Sequence, residues 1–106
     1  MRVLIDECLP RRLRRVLSTH VVLTAQQAGW AGVSNGSLSS RAASQFDAFI
    51  TIDKNLPAQQ NHVDLPVAVI VIHARSNRFH DIEPLVPAIL AALEHLQPKS
   101  IVHVPS

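Results

Sequence analysis

A chain of 106 residues with 47% hydrophobic content is long enough for one core and leaves little room for a second, so a single domain over 1–106 is expected. The formal charge is +2, and five of the ten Lys and Arg residues fall within the first fifteen positions, so the basic character is local. A lone Cys8 excludes an internal disulfide and a cysteine-based zinc knuckle. No apolar run approaches the roughly 20 residues that span a bilayer, and the N-terminus carries no signal-peptide pattern; the expected setting is a reducing cytoplasm with no membrane partner.

The chain opens with Val3-Leu4-Ile5, an apolar run without polar alternation that ends in Asp6-Glu7. Such a run suits a strand covered on both faces of a parallel sheet. In open α/β sheets ligands sit beyond the carboxyl ends of the strands, which is where these two carboxylates stand. Pro10 then opens an amphipathic helix with Leu9, Leu13, Val16 and Leu17 on its inner face and Arg11, Arg12, Arg14 and Arg15 outside. Residues 20–23 predict a second strand, and 24–28 a brief helix or turn ended by Gly29. All three glycines, Gly29, Gly32 and Gly36, crowd into the following loop, which marks it as specialised.

Residues 37–45 predict another helix, with Leu38, Ala42 and Phe46 inward and Asn35 or Ser37 as its cap. Residues 47–53 predict a strand that again ends in a carboxylate, Asp53. The stretch 54–64 is polar, holds Pro57, and reads as a loop with at most one helical turn. Residues 67–72 form the most continuous β-branched run and predict a central strand, followed by a polar connection over 74–80 that carries Arg75 and Arg78. From Asp81 onward Ile82, Leu85, Val86, Ile89, Leu90, Leu93 and Leu96 recur at helical spacing, with Pro84 and Pro87 confining the regular part mostly to the residues beyond them. Residues 100–104 predict the last strand. The order describes a small α/β domain with a largely parallel sheet and right-handed crossovers.

Asp6 and Asp53 both close predicted strands. If those strands are neighbours, the two carboxylates lie close together, and like charges there require a proton or a cation between them. Mg²⁺ or Mn²⁺, with oxygen ligands, is the natural bridge and is suited to phosphoryl hydrolysis. A single acid at a strand end often only caps a helix or faces water; two together favour the metal.

Other residues carry weaker signals. The arginine face of the first helix is most often simply solvated, then a nucleic-acid contact, then a partner contact. Arg75 and Arg78, beyond the carboxyl end of a central strand, are better placed to hold a substrate phosphate. His20, His62, His73, His80, His95 and His103 show no tight ligand spacing, and the strand positions of His73 and His103 suit burial without ligation. Cys8, without a partnered base, reads as a small core or edge residue, and Trp30 as packing over the loop.

Val3-Leu4-Ile5-Asp6-Glu7-Cys8-Leu9-Pro10 followed by an amphipathic helix resembles the opening of small bacterial PIN-like proteins, relatives of the PIN-domain toxin ribonucleases. The resemblance extends through Gly29-Trp30-Ala31-Gly32-Val33-Ser34-Asn35-Gly36 and Phe49-Ile50-Thr51-Ile52-Asp53-Lys54-Asn55-Leu56, so it covers nearly the whole chain. It implies a three-layer α/β/α PIN-like fold and a metal-dependent ribonuclease, the toxin of a toxin–antitoxin pair. By position, Asp6 and Asp53 become the principal ligands of Mg²⁺ or Mn²⁺ and Glu7 an accessory acid; Lys54 joins Arg75 and Arg78 as a candidate substrate contact. The family's third acid is replaced here by Asn35, which can ligate through its carbonyl oxygen but brings no charge. The implied partners are RNA and an antitoxin protein, and a homodimer is compatible.

Two alternatives stand beside this. A catalytically silent PIN-like module that binds RNA or protein is the reading Asn35 favours. A receiver-like phosphoacceptor domain would also place Asp6-Glu7 and Asp53 at strand ends, but it needs a Lys after the last strand, where Val104-Pro105-Ser106 has none.

Overall fold

The computed structural model describes residues 1–30, 32, 41–42, 45–52 and 67–105. Five strands, β1 (Arg2–Ile5), β2 (Val21–Thr24), β3 (Ala48–Thr51), β4 (Ala68–Ile72) and β5 (Ile101–Val104), form one sheet in the order β2-β1-β3-β4-β5. Every neighbouring pair is parallel. All five lie where the apolar runs predict them, within a residue or two at each end. The apolar density tracks position in the sheet. β3 and β4 are buried along their whole length, whereas the edge strands β2 and β5 mix buried and exposed residues. An interior parallel strand has no face turned to water, and its composition shows it.

Three helices are described: α1 (Arg12–Val16), α2 (Phe79–Ile82) and α3 (Val86–Glu94), with a 3-10 turn over Glu83–Leu85 between the last two. The expected single helix from Asp81 is therefore broken. Pro84 lies in the 3-10 turn and Pro87 in the first turn of α3, where a missing N–H costs nothing, so regular α-helix resumes only at Val86. Residues 25–29 form a turn, not a helix. It is closed by Gly29 at φ +81°, and Thr24 and Gln27 exchange hydrogen bonds, Gln27 Oε1 accepting from the Thr24 N–H (3.0 Å) and Thr24 Oγ1 from the Gln27 N–H (3.1 Å). Most of the predicted 37–45 helix and the 54–64 loop lie outside the described residues.

Alternation along the strands divides the core between two faces. Val3, Ile5, Ala48, Ile50, Ile70, Ile72 and Val104 pack with Leu13 and Leu17 from the α1 segment and with Ile82, Ile89 and Leu93 from α2 and α3. Leu4, Phe49, Val69 and Val71 point to the opposite face and pack with Ala25, Ala42, Phe46 and the half-buried Trp30. Trp30 meets Phe46 edge-on at 6.0 Å, the packing role its position in the loop predicts. Val16, expected on the inner face of α1, is 37% exposed. α1 is a short helix whose buried face is set by Leu13, followed by Leu17, and Val16 falls outside that stripe.

The handedness departs from expectation. The step from β1 to β2 runs outward over α1's face, and the step back from β2 to β3 runs over the opposite face, so those two connections share one hand. The step from β4 to β5 moves in the same direction as β2 to β3, yet α3 lies on α1's face. It therefore has the opposite hand to the other two, whereas right-handed crossovers throughout were expected. Two contacts hold the α2 end of this connection beside α1. The Arg12 guanidinium stacks on the Phe79 ring at 4.4 Å, and Asn77 Nδ2 donates to the Cys8 carbonyl (2.9 Å).

Candidate functional site

The site grows from the carboxyl end of β1. Ile5 is in register with Ile50, so the next residues, Asp6 and Thr51, face each other across β1 and β3. The ladder runs one residue past β1, with the Asp6 N–H donating to the Ile50 carbonyl (3.0 Å). Alternation turns both side chains toward the Leu4 and Phe49 face. Thr51 Oγ1 donates to Asp6 Oδ2 at 2.8 Å, and Cys8 N–H donates to Oδ1 at 3.0 Å. The Leu9 N–H donates to the Asp6 carbonyl (3.0 Å), which closes the 6–9 turn around the carboxylate.

Asp6 is 1% exposed. A carboxylate this deeply buried needs hydrogen bonds or a counter-charge, and none of the described Lys, Arg or His side chains pairs with it. Thr51 and the Cys8 amide occupy one lone pair on each oxygen. A carboxylate has about four acceptor positions, so the remaining ones suit a hard divalent cation. Of the ligands expected here, Asp6 is the one among the described residues, and its remaining acceptor positions are oxygen, the donor type a hard cation takes.

Glu7 is exposed, and both its oxygens accept from the Gly32 N–H, at 3.2 and 3.3 Å. Gly32 sits at φ +81°, a conformation that suits glycine, and the contact ties it to the acid that follows Asp6. Asn35 comes three positions later. Asn35, Asp53 and Lys54 all lie outside the described residues, so their expected roles rest on sequence position. Among the described residues no three His, Cys, Asp or Glu side chains converge as a metal-ligand group. The condition placed on Asp6 and Asp53 is met at the strand level: β1 and β3 are neighbours, and β3 ends two residues before Asp53.

Arg75 and Arg78 are exposed on the loop after β4. That loop is fastened to the Asp6 turn by the Asn77–Cys8 hydrogen bond. Its own shape is held by Ser76, whose hydroxyl donates to Asp81 Oδ2 (2.5 Å) and accepts from the Arg78 N–H (3.1 Å). A separate depression, lined by Arg11, Arg14, Thr24, Gln26 and Gln27, opens beside α1 and β2 and not over Asp6. Cys8 is exposed, and its backbone links the Asp6 carboxylate to Asn77.

Sequence reasoning missed Thr51 and Asn77. Thr51 carries a signal in retrospect, as the polar residue inside Phe49-Ile50-Thr51-Ile52; Asn77 carries none, because its partner is 69 positions away. His73 and His103, expected to be buried, are respectively half-buried and exposed. The crevice between β1 and β3 is the point where the strand order reverses, β1 leading to β2 on one side and β3 to β4 on the other, the usual ligand position in such sheets. No model of a known protein family, no characterised protein and no solved structure matches the chain.

Proposed function

We propose that this chain is a PIN-like ribonuclease of three-layer α/β/α build, dependent on Mg²⁺ or Mn²⁺, that hydrolyses RNA phosphodiesters in the cytoplasm as the toxin of a two-protein module. The observation that carries this is Asp6: a buried carboxylate held by Thr51 and the Cys8 amide at the crevice between β1 and β3, with the sequence of β3 running on to Asp53. Asp6 and Asp53 supply charged ligands and Asn35 a neutral oxygen. Glu7, the accessory acid, accepts from the Gly32 N–H. Arg75 and Arg78, with Lys54, hold substrate phosphate by charge-assisted hydrogen bonds. A divalent cation held by these ligands would neutralise phosphoryl charge and activate water for attack. The layering is supported by the burial of apolar side chains on both faces of the sheet.

The test is Mn²⁺ calorimetry and cleavage of a labelled single-stranded RNA by the full chain, with Asp6→Asn and Asp53→Asn as comparisons. Loss of both binding and cleavage in each variant supports the assignment; cleavage at the wild-type rate by either sinks it. A folded wild type that binds RNA without taking up Mn²⁺ identifies the silent PIN-like module instead.

One observation favours the receiver-like reading: doubly wound domains of that kind share the order β2-β1-β3-β4-β5. One feature opposes it: α3 lies on the same face as α1. A transient mass increment on Asp53 after treatment with a small phosphodonor would revive it.

A further inference from the structure

At the far side of the same sheet edge, two imidazoles converge. His73 comes directly after β4 and His103 lies in β5. Val71 is in register with His103, so His73, two residues on, shares its face of the sheet. The His73 N–H donates to the Val104 carbonyl (2.7 Å), which extends the β4–β5 ladder and holds both backbones in place. His73 Nε2 and His103 Nδ1 stand 2.7 Å apart, with ring centroids at 4.9 Å and planes inclined by 51°.

Burial does not require this pairing. His103 is exposed and His73 half-buried, so water could satisfy either ring, yet the two nitrogens are directed at each other. An open, largely apolar depression lined by Ile101, Val102 and Pro105 lies beside them. We propose that His73 and His103 form a two-imidazole site for a borderline divalent transition metal of the Zn²⁺ class, whose remaining positions are filled by water or an exogenous donor.

The chemistry suits that class and not the cation proposed at Asp6. Imidazole nitrogen selects Zn²⁺, Cu²⁺ and Ni²⁺, whereas Mg²⁺ and Mn²⁺ prefer carboxylate, carbonyl and water oxygen. Zinc–nitrogen bonds of about 2.0–2.1 Å put two tetrahedral ligands about 3.3 Å apart, so the pair must open by roughly half an ångström. His103, exposed on an edge strand, has room to rotate. Metal entry needs a lone pair on both converging nitrogens, so any hydrogen shared between them must leave that position.

The experiment is titration of the purified full chain with Zn²⁺ by calorimetry and with Co²⁺ by visible absorption, whose ligand-field bands report coordination. The expected result is uptake by the wild type that falls by one metal per chain in His73→Gln and in His103→Gln, while Asp6→Asn and His95→Gln keep that equivalent. His103→Gln alters an exposed residue and keeps the variant interpretable if His73→Gln unfolds. Unchanged uptake by His103→Gln, or none by the wild type, overturns the site. Because Mn²⁺ binding in His103→Gln and Zn²⁺ binding in Asp6→Asn are scored separately, failure of this site is distinguishable from failure of the ribonuclease assignment.

Discussion

Thr51 Oγ1 donates to Asp6 Oδ2 across 2.8 Å, joining the carboxyl ends of β1 and β3 through their side chains just where the strand ladder stops. The bond fixes the rotamer of a buried carboxylate and leaves other lone pairs available. Thr51→Val keeps the shape and removes the donor. Losing a hydrogen bond to a charged group costs about 1.5–3 kcal/mol. At roughly 4–8 °C per kcal/mol for a domain of this size, the expected drop in Tm is readily measured by calorimetry. An unchanged Tm would show that Asp6 does not depend on Thr51.

Mn²⁺ should stabilise the wild type against heat. A ligand at a hundred times its Kd adds about 2.7 kcal/mol to a folded state that alone binds it. Asp6→Asn should abolish this gain while leaving a folded chain. Equal Mn²⁺-dependent shifts in both proteins would locate the ion elsewhere.

Arg75 and Arg78 should reveal themselves through salt. Each phosphate neutralised on a single strand contributes about 0.7 to the slope of log K against log salt. Replacing both by Gln should lower the slope for single-stranded RNA by about 1.4. Arg14 and Arg15 are exposed on α1, away from the loop after β4 in the chain, and their replacement is expected to leave the slope as it was.

Asn77→Ala releases the loop that carries those arginines from the Cys8 carbonyl. The bond is exposed, so its removal should cost no more than about 1 kcal/mol of stability. RNA should dissociate faster, because Arg75 and Arg78 lose their fixed position, while the salt slope stays the same. A variant whose dissociation rate matches the wild type would separate the loop from substrate binding.

Phe49 sits fully buried in β3, and its replacement tests the second core face. Phe49→Ala should cost about 3–5 kcal/mol, a large share of the roughly 5–15 kcal/mol that holds a domain together. Denaturant unfolding measures it directly. A cost near zero would mean that this face collapses around the cavity.

The amino-acid sequence by itself determined the five strands and their parallel class. Val3-Leu4-Ile5, Phe49-Ile50 and the β4 run have no polar alternation, and only strands covered on both faces tolerate that. It also determined that acids stand at the ends of two of these runs, because strand length and chain position are local properties. It left open which strands are neighbours, and hence which distant residues meet. Strand order, the reversed hand of the β4–β5 connection, the seat of Thr51 against Asp6, the Asn77–Cys8 tie and the His73–His103 convergence all arise from packing of segments distant in the chain, up to the 69 positions between Cys8 and Asn77. Periodicity reports which face of its own element a residue occupies. Only the assembled core decides what stands opposite, since burial of apolar area is non-directional and many pairings satisfy it equally until side chains interlock.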